Sequence, residues 1–470
     1  MAKEVIKMEI EKQDNKEKNL WEIYTDIQLK QLDEINEAYK AFLDAGKTER
    51  ECVTEIVRQA ETDGYRNLYE AESLKVGDKV YATWMDKSIA LFNIGEEPLE
   101  QGMNILGAHI DSPRLDLKQN PLYEEGGFAY FDTHYYGGIK KYQWVTIPLA
   151  IHGVIVRKDG TKEVISIGEK DTDPVFTITD LLVHLSSKQM EKTAAAVVEG
   201  ENLDILVGSR PLKGEEKDAA AVQVMKLLEE MYHIERDDFM SAELEVVPAG
   251  KARDCGLDRS MVMAYGQDDR ICAYTSLKAM LDVEKVKRTS CCILVDKEEI
   301  GSVGATGMHS RFFENAVAEM FEKLGGFTEM KLRRALAHST MISSDVSAAY
   351  DPMYPEVYDK KSTSFFGKGP VFCKHTGRGG KSGSNDANAE YIARLRKVMA
   401  EEEVHFQMAE LGKVDAGGGG TIAYILANYG MEVIDGGVAV LCMHAPWEVS
   451  SKADVYEAYR GYCAFLEKMQ

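Results

Sequence analysis

Five short segments of this 470-residue chain end in side chains that bind protons or metal ions. Ile105-Leu-Gly-Ala-His-Ile-Asp111 ends in His-x-Asp. Met263-Ala-Tyr-Gly-Gln-Asp-Asp269 ends in paired aspartates, and Ile293-Leu-Val-Asp-Lys-Glu-Glu299 in paired glutamates. Met341-Ile-Ser-Ser-Asp345 ends in one aspartate, and Val440-Leu-Cys-Met-His444 in a histidine. Each begins as an apolar, strand-like run. In open α/β sheets ligands bind outside the carboxyl ends of the strands, so these five ends are expected to converge on one cleft. Two imidazoles and several carboxylates without a thiolate suit Zn, Mn or Co, and do not resemble a structural Cys site. One carboxylate shared by two ions, with two further ligands on each, makes a compact hydrolytic centre. Two cations would also offset the repulsion among clustered carboxylates. A lone histidine after a strand is ordinarily a core or surface residue, and a lone Asp-Asp or Glu-Glu pair a solvated loop. The joint placement points to metal, not any single residue.

The elements that must position these residues can be read from periodicity. Residues from about Leu20 to Gly64 read as helices, with Leu29, Leu32, Ile35 and Tyr39 at helical spacing, then Ala41, Phe42 and Ala45. Val80 to Asn93 and Met103 to His109 read as strands. From Met261 onward strand-like runs (Met261–Tyr265, Cys291–Val295, Thr340–Ser343, Gly437–Met443) alternate with amphipathic segments such as Ile271–Val283 and Thr421–Tyr429. That alternation predicts an α/β layer with a mainly parallel central sheet flanked by helices. The middle of the chain has a different texture. Val145–Arg157, Lys158-Asp-Gly160 and Thr161–Ile167 read as a hairpin. The expected architecture is one α/β body, residues 1–112 and 253–470, with a β-rich domain inserted at 113–252.

Composition narrows the function classes. A formal net charge of -22 argues against nucleic acid or an anionic membrane as partner. The eight cysteines include no C-x-x-C pair and several lie in apolar runs, which reads as free thiols in a reducing compartment. The N-terminus mixes charges and has no apolar h-region, so no signal peptide is expected. Val145–Val156 is too short to span a bilayer. A cytoplasmic protein follows from these readings.

The motifs Gly107-Ala-His-Ile-Asp-Ser-Pro113, Asp268-Asp-Arg270, Asp296-Lys-Glu-Glu-Ile-Gly-Ser302, Ser344-Asp-Val346 and Met443-His444 resemble the M18 family of aminopeptidases. Their order and spacing match from about Leu20 to Lys468. The resemblance implies an exopeptidase that removes amino acids from peptides with free N-termini, using two divalent ions per subunit, Zn foremost, with Co or Mn as alternatives. It implies that His109 and Asp345 bind one ion, Glu299 and His444 the other, and that Asp268 bridges them. Glu298 would be the general base that takes a proton from the attacking water, and Asp111 would orient the imidazole of His109. Asp269 and Asp296 would be neighbours of the site. His184, in Asp180-Leu-Leu-Val-His-Leu185, resembles a histidine that reaches a partner subunit's active site. Lys374 resembles a substrate-contacting lysine, with a one-residue shift. Members that prefer acidic N-terminal residues carry a substrate-contacting histidine where Ala348 falls, so that preference does not transfer to this chain. The insert would mediate dimerisation, and dimers would assemble into a dodecamer.

Other readings are weaker. Gly377-Arg-Gly-Gly-Lys-Ser382 has His375 where a phosphate loop requires its first glycine. Gly417–Gly420 could form an anion-binding nest, or simply a tight turn beside the cleft. No Gly-x-Ser-x-Gly elbow is present. A hydrolase of N-acyl amino acids, or a non-catalytic protein on a peptidase fold, are the alternatives to a peptidase.

Overall fold

The structure is a computed structural model that describes residues 18–470. Most of the segment read for a leader, Met1–Glu17, lies outside the described residues, as does the start of the expected body. Three helices open the described chain, Leu20–Ile23, Asp26–Ala45 and Glu49–Thr62. The second and third begin on capping boxes, Thr25 with Gln28 and Thr48 with Glu51. In each, two N–H groups at the helix start find side-chain acceptors. Leu32, Ile35, Tyr39 and Phe42 form the buried stripe of the second helix, while Ala41 and Ala45 face solvent.

A nine-stranded sheet runs in the order Arg66–Asn67, Lys79–Trp84, Ser88–Asn93, Thr289–Val295, Met103–His109, Thr340–Ser343, Glu432–Gly437, Val371–Cys373, Gln407–Met408. Its four central strands, from Thr289–Val295 to Glu432–Gly437, are mutually parallel. Antiparallel pairs flank them on both sides. Every residue of Met103–His109 is buried, as expected of a strand covered on both faces. Leu106, Cys292, Ile342 and Ile434 pack on one side, against helices Asp26–Ala45, Gln267–Asp282 and Lys452–Lys468. Ile105, Ile293, Met341 and Val433 pack on the other, against Phe312–Lys323, Glu329–Ala337 and Ala423–Ala427.

Two sequence expectations change here. Val80–Asn93 is a tight hairpin whose turn carries Met85 and Asp86 at positive φ. Gly437–Met443 is not one strand. Glu432–Gly437 ends in the main sheet, and Ala439–Leu441 belongs to a second, five-stranded sheet. That sheet has the order Arg253–Cys255, Met261–Ala264, Glu448–Ser451, Ala439–Leu441, Ser347–Ala348. Apolar runs look alike whichever sheet they join, so periodicity did not separate the two.

Residues 114–248 form a six-stranded antiparallel sheet, ordered Lys162–Ile167, Leu149–Val156, Ala242–Pro248, Arg114–Glu125, Phe128–Tyr136, Ile205–Gly208. The expected hairpin is present, with Ile151 opposite Ile167 and the turn at Asp159-Gly160. Helix Ala219–Tyr232 contributes Val224 and Leu228 to a separate core around Trp144, Leu115, Phe131 and Leu244. Among the described residues no helix is long and apolar enough to cross a membrane.

Candidate metal centre

Three of the five expected segments leave the carboxyl ends of the central parallel strands. His109 ends its strand, Glu298 and Glu299 follow Thr289–Val295, and Asp345 follows Thr340–Ser343. The other two come from the second sheet. Asp268 follows Met261–Ala264, and His444, at φ +64°, follows Ala439–Leu441. The centre therefore lies where two sheets meet, not at the edge of one.

Asp268 sits between the two imidazoles. His109 Nε2 is 3.3 Å from its Oδ1, and His444 Nε2 is 3.2 Å from its Oδ2. His444 Nε2 is also 3.4 Å from Glu299 Oε2. Ligand atoms of His109, Glu298 and Asp345 lie within 4.8 Å of one another, and so do those of His109, Asp268 and Glu299. Asp269 joins Asp268 and Asp345 in a third such group, and its Oδ2 accepts from the His109 amide at 3.3 Å.

The far side of each imidazole meets a carbonyl. His109 Nδ1 is 3.0 Å from the Asp111 carbonyl, with Asp111 Oδ1 at 3.3 Å. His444 Nδ1 is 2.8 Å from the Gly138 carbonyl. A carbonyl only accepts, so each Nδ1 carries a proton and Nε2 is the nitrogen left facing Asp268, donating to it while the ring is charged and free to hold a cation once the ring is neutral. Asp111 is fully buried. Its Oδ1 accepts from the Glu298 amide at 3.1 Å, and its Oδ2 from the Glu299 amide at 3.2 Å and the Tyr136 hydroxyl at 2.9 Å.

The electrostatics are lopsided. Burial pushes Glu299, Asp345 and Asp269 well above the usual carboxylate range, and neighbouring carboxylates add to it. Glu298 is pushed up to about 7, chiefly by burial. Burial would raise Asp268 too, but hydrogen bonds from His109 and His444 hold it well below the usual range. Burial would depress His444, yet its contacts with Asp268 and Glu299 carry it up to about 10. No lysine or arginine among the described residues pairs with Asp268, Asp269, Glu298, Glu299 or Asp345. Such acids ionise together only when positive charge is placed among them. Glu299 Oε1 and Asp269 Oδ1 are buried without a hydrogen-bond partner. The donor set, the orphaned oxygens and the two Nε2 atoms that face Asp268 all fit divalent cations.

A cleft of about 650 Å³ opens over these groups, lined in part by Asp268, Glu298, Glu299, Asp345, His375 and His444. Lys374 is exposed and absent from that lining, whereas its neighbours Cys373 and His375 are in it. His184 is far more exposed than the centre's histidines and lies in the surface turn Val183–Leu185. Sequence reasoning missed Glu448, which is buried and accepts from the Asp268 amide at 3.0 Å and the His444 amide at 2.8 Å. Its position four residues after His444 was the available signal. It also missed Tyr136 and Gly138, for which no motif gave a cue.

Residues 42–466 match the family model described as aminopeptidase I zinc metalloprotease (M18). A "Probable M18 family aminopeptidase 1" of Clostridium acetobutylicum is 62% identical over 454 residues, covering 96% of this chain and 98% of the relative. The crystal structure of an M18 aminopeptidase from Thermotoga maritima superposes with a TM-score of 0.93 at 46% identity, covering 96% and 99% of the two chains. The S. cerevisiae mApe1 dodecamer shares the fold, with a TM-score of 0.74 at 21% identity over 93% and 97% of the chains. Matched along nearly its whole length by family model, relative and solved structure alike, the chain belongs to the M18 family of zinc metalloaminopeptidases.

Proposed function

We propose that the chain removes N-terminal amino acids from peptides with a two-metal centre and Glu298 as general base. The observation that carries this reading is Asp268, with one imidazole Nε2 facing each of its oxygens. In this reading His109 and Asp345 hold one ion, Glu299 and His444 the other, and Asp268 bridges them. Lewis acidity at such a centre polarises a scissile carbonyl and lowers the pKa of water. Zinc is the family's metal, and Co or Mn suits the same donors.

Glu298 supplies the proton traffic. Its carboxylate accepts a proton from the attacking water as the new C–O bond forms, then delivers it to the leaving nitrogen as the C–N bond breaks. Burial raises this carboxyl toward neutrality, which suits a group that must both take and give a proton, and bound cations would bring it back down. Asp111, with its two amide hydrogen bonds, fixes the turn that presents Glu298 and Glu299. A cleft this rich in carboxylates favours the free α-ammonium of a peptide, which is the basis of exopeptidase action.

The body would comprise residues 1–112 and 253–470, and the insert, 113–252, would carry dimerisation. Around His184 the insert exposes Leu181, Leu182, Val183, Leu185 and Met190. Contiguous exposed apolar side chains of this kind mark contact surfaces. This surface fits a second copy, with His184 reaching the partner's cleft and further assembly into a dodecamer; a monomer by light scattering would overturn that part. Eight unpaired cysteines accord with a reducing, cytoplasmic setting.

The test is Glu298→Gln on free and N-acetylated peptides. We expect both metals retained and turnover reduced by about 10²–10⁴-fold, with only free peptides cleaved by the wild type. Metal loss would instead make Glu298 a ligand. Cleavage of acetylated peptides would replace the aminopeptidase reading with a deacylase.

A further inference from the structure

The inserted sheet is not confined to its own core. Its strand Phe128–Tyr136 runs out against the metal centre, and three consecutive residues there each meet a different part of it. The Tyr136 hydroxyl donates to Asp111 Oδ2 at 2.9 Å. Gly137 has φ +76°, and a Cβ there would lie 3.3 Å from both Cβ and Oε2 of Glu299, so the backbone packs directly on that side chain. The Gly138 carbonyl accepts the Nδ1–H of His444 at 2.8 Å. Asp111 passes the first contact on, through the amides of Glu298 and Glu299. Tyr136 is itself held from the other side. The Arg114 guanidinium lies 3.9 Å from its ring centroid, within reach of Glu245 at 3.1 Å and Glu49 at 3.6 Å.

We propose that Tyr136-Gly-Gly138 is a positioning strap through which the insert, within the same subunit, sets the metal affinity of the Glu299–His444 half of the centre. This rests on the two-metal reading above. Each contact has a directional consequence. The Gly138 carbonyl fixes the tautomer and orientation of His444, as an outer acceptor does for a ligating imidazole. Burial and the Asp111 charge keep the Tyr136 phenol protonated, so it acts as a donor and ties down a carboxylate that would otherwise rotate. Freed of that tie, Asp111 no longer holds the amides of residues 298 and 299 in one place. Gly137 packs its backbone against one side of the Glu299 side chain, where a larger residue would press on it. The insert is then part of the catalytic apparatus, whatever it also does at a subunit interface.

The test measures zinc binding to stripped protein by calorimetric titration and metal analysis, with kinetics alongside. Tyr136→Phe removes one oxygen and keeps the ring under Arg114. We expect one zinc equivalent to weaken by about 10–100-fold, with kcat falling more than KM changes. In a cycle with Asp111→Asn the two effects on zinc affinity should be non-additive, because the hydroxyl acts through that carboxylate. Gly137→Ala leaves Tyr136 and Asp111 intact and drives a methyl against Glu299, so it should weaken the same equivalent. Wild-type zinc binding by both variants overturns the strap, as does a Tyr136→Phe effect that adds fully to that of Asp111→Asn. Wild-type protein that takes up no zinc, cobalt or manganese overturns the two-metal reading instead.

Discussion

Two regions of this molecule bury many charges, and they do so in opposite ways. At the metal centre five carboxylates face two imidazoles, and among the described residues none of the five forms an ion pair with a lysine or arginine. At the seam where the six-stranded sheet meets the rest of the chain, acids and bases alternate. Lys47 reaches Glu169 at 2.7 Å, and His152 lies between Glu51 at 2.8 Å and Glu169 at 3.1 Å. Arg114 reaches Glu245 at 3.1 Å, and Lys87 reaches Glu243 at 3.1 Å. The difference shows at Glu49, although Glu245, which shares Arg114 with it, is still raised by burial. Burial would raise Glu49 at the seam, but Arg114 and Lys87 hold it down at about 2. Burial lifts Glu298 at the centre to about 7, with only the His109 and His444 imidazoles to oppose it. A buried charge cluster that compensates itself is architecture. One that leaves a surplus of one sign must take up protons or hold a ligand of the other sign.

The largest effect expected from breaking this contrast is at Asp268. Asp268→Asn removes the shared charge between the imidazoles, so both ions should be lost. The value of kcat/KM should then fall more than about 10³-fold, equivalent to about 4 kcal/mol. Metal analysis and peptide turnover check this, and a variant that keeps two ions would remove Asp268 from the bridge. At the seam the same kind of change should act on stability alone. Lys47 also donates to the carbonyls of Pro248 and Gly250 at 2.9 and 2.7 Å. Lys47→Met strands Glu169 and both carbonyls, and should cost about 3 kcal/mol in urea unfolding with metal content unchanged. Metal loss there would mean that the two regions are not separable.

The smallest effect concerns His152. Burial pulls it down, but hydrogen bonds with Glu169 and Glu51 win and hold it above its ordinary 6.5. A group raised in the folded state adds stability that is full below the unfolded pKa and fades as pH rises through the folded one. The Tm gap between wild type and His152→Gln should therefore be widest near pH 6 and shrink above neutrality. A gap that widens with pH would show that His152 is neutral in the fold.

Legibility followed sequence distance. The residues of the five segments could be picked out because each stands directly after an apolar run, and Asp268, Glu298, Glu299, Asp345 and His444 line one cleft with His109 buried beside Asp268. Helices were legible where caps and stripes are local, as at Thr48 with Glu51. Asp268 and His444 were assigned to the wrong sheet, because Met261–Ala264 and Ala439–Leu441 carry no mark of which neighbours they pair with. Lys374 follows the alternation of its segment, which turns Cys373 and His375 toward the cleft and Lys374 away from it. Glu448 was overlooked because a carboxylate that holds two amides has the same sequence appearance as a surface glutamate.

By itself the sequence determined the chemical inventory of this protein: imidazoles and carboxylates at strand ends, free thiols, an acidic surface, an α/β alternation and a middle segment of hairpins. Those follow from residue types and short-range periods, which need no knowledge of the distant chain. Only the tertiary structure decided that two sheets share the centre, that Asp268 lies between two imidazoles, and that Tyr136 and Gly138 of the insert close over it. Contacts such as Gly138 with His444 join residues some three hundred positions apart. They arise from how separate cores pack and how buried charge must be balanced, and no local pattern encodes that.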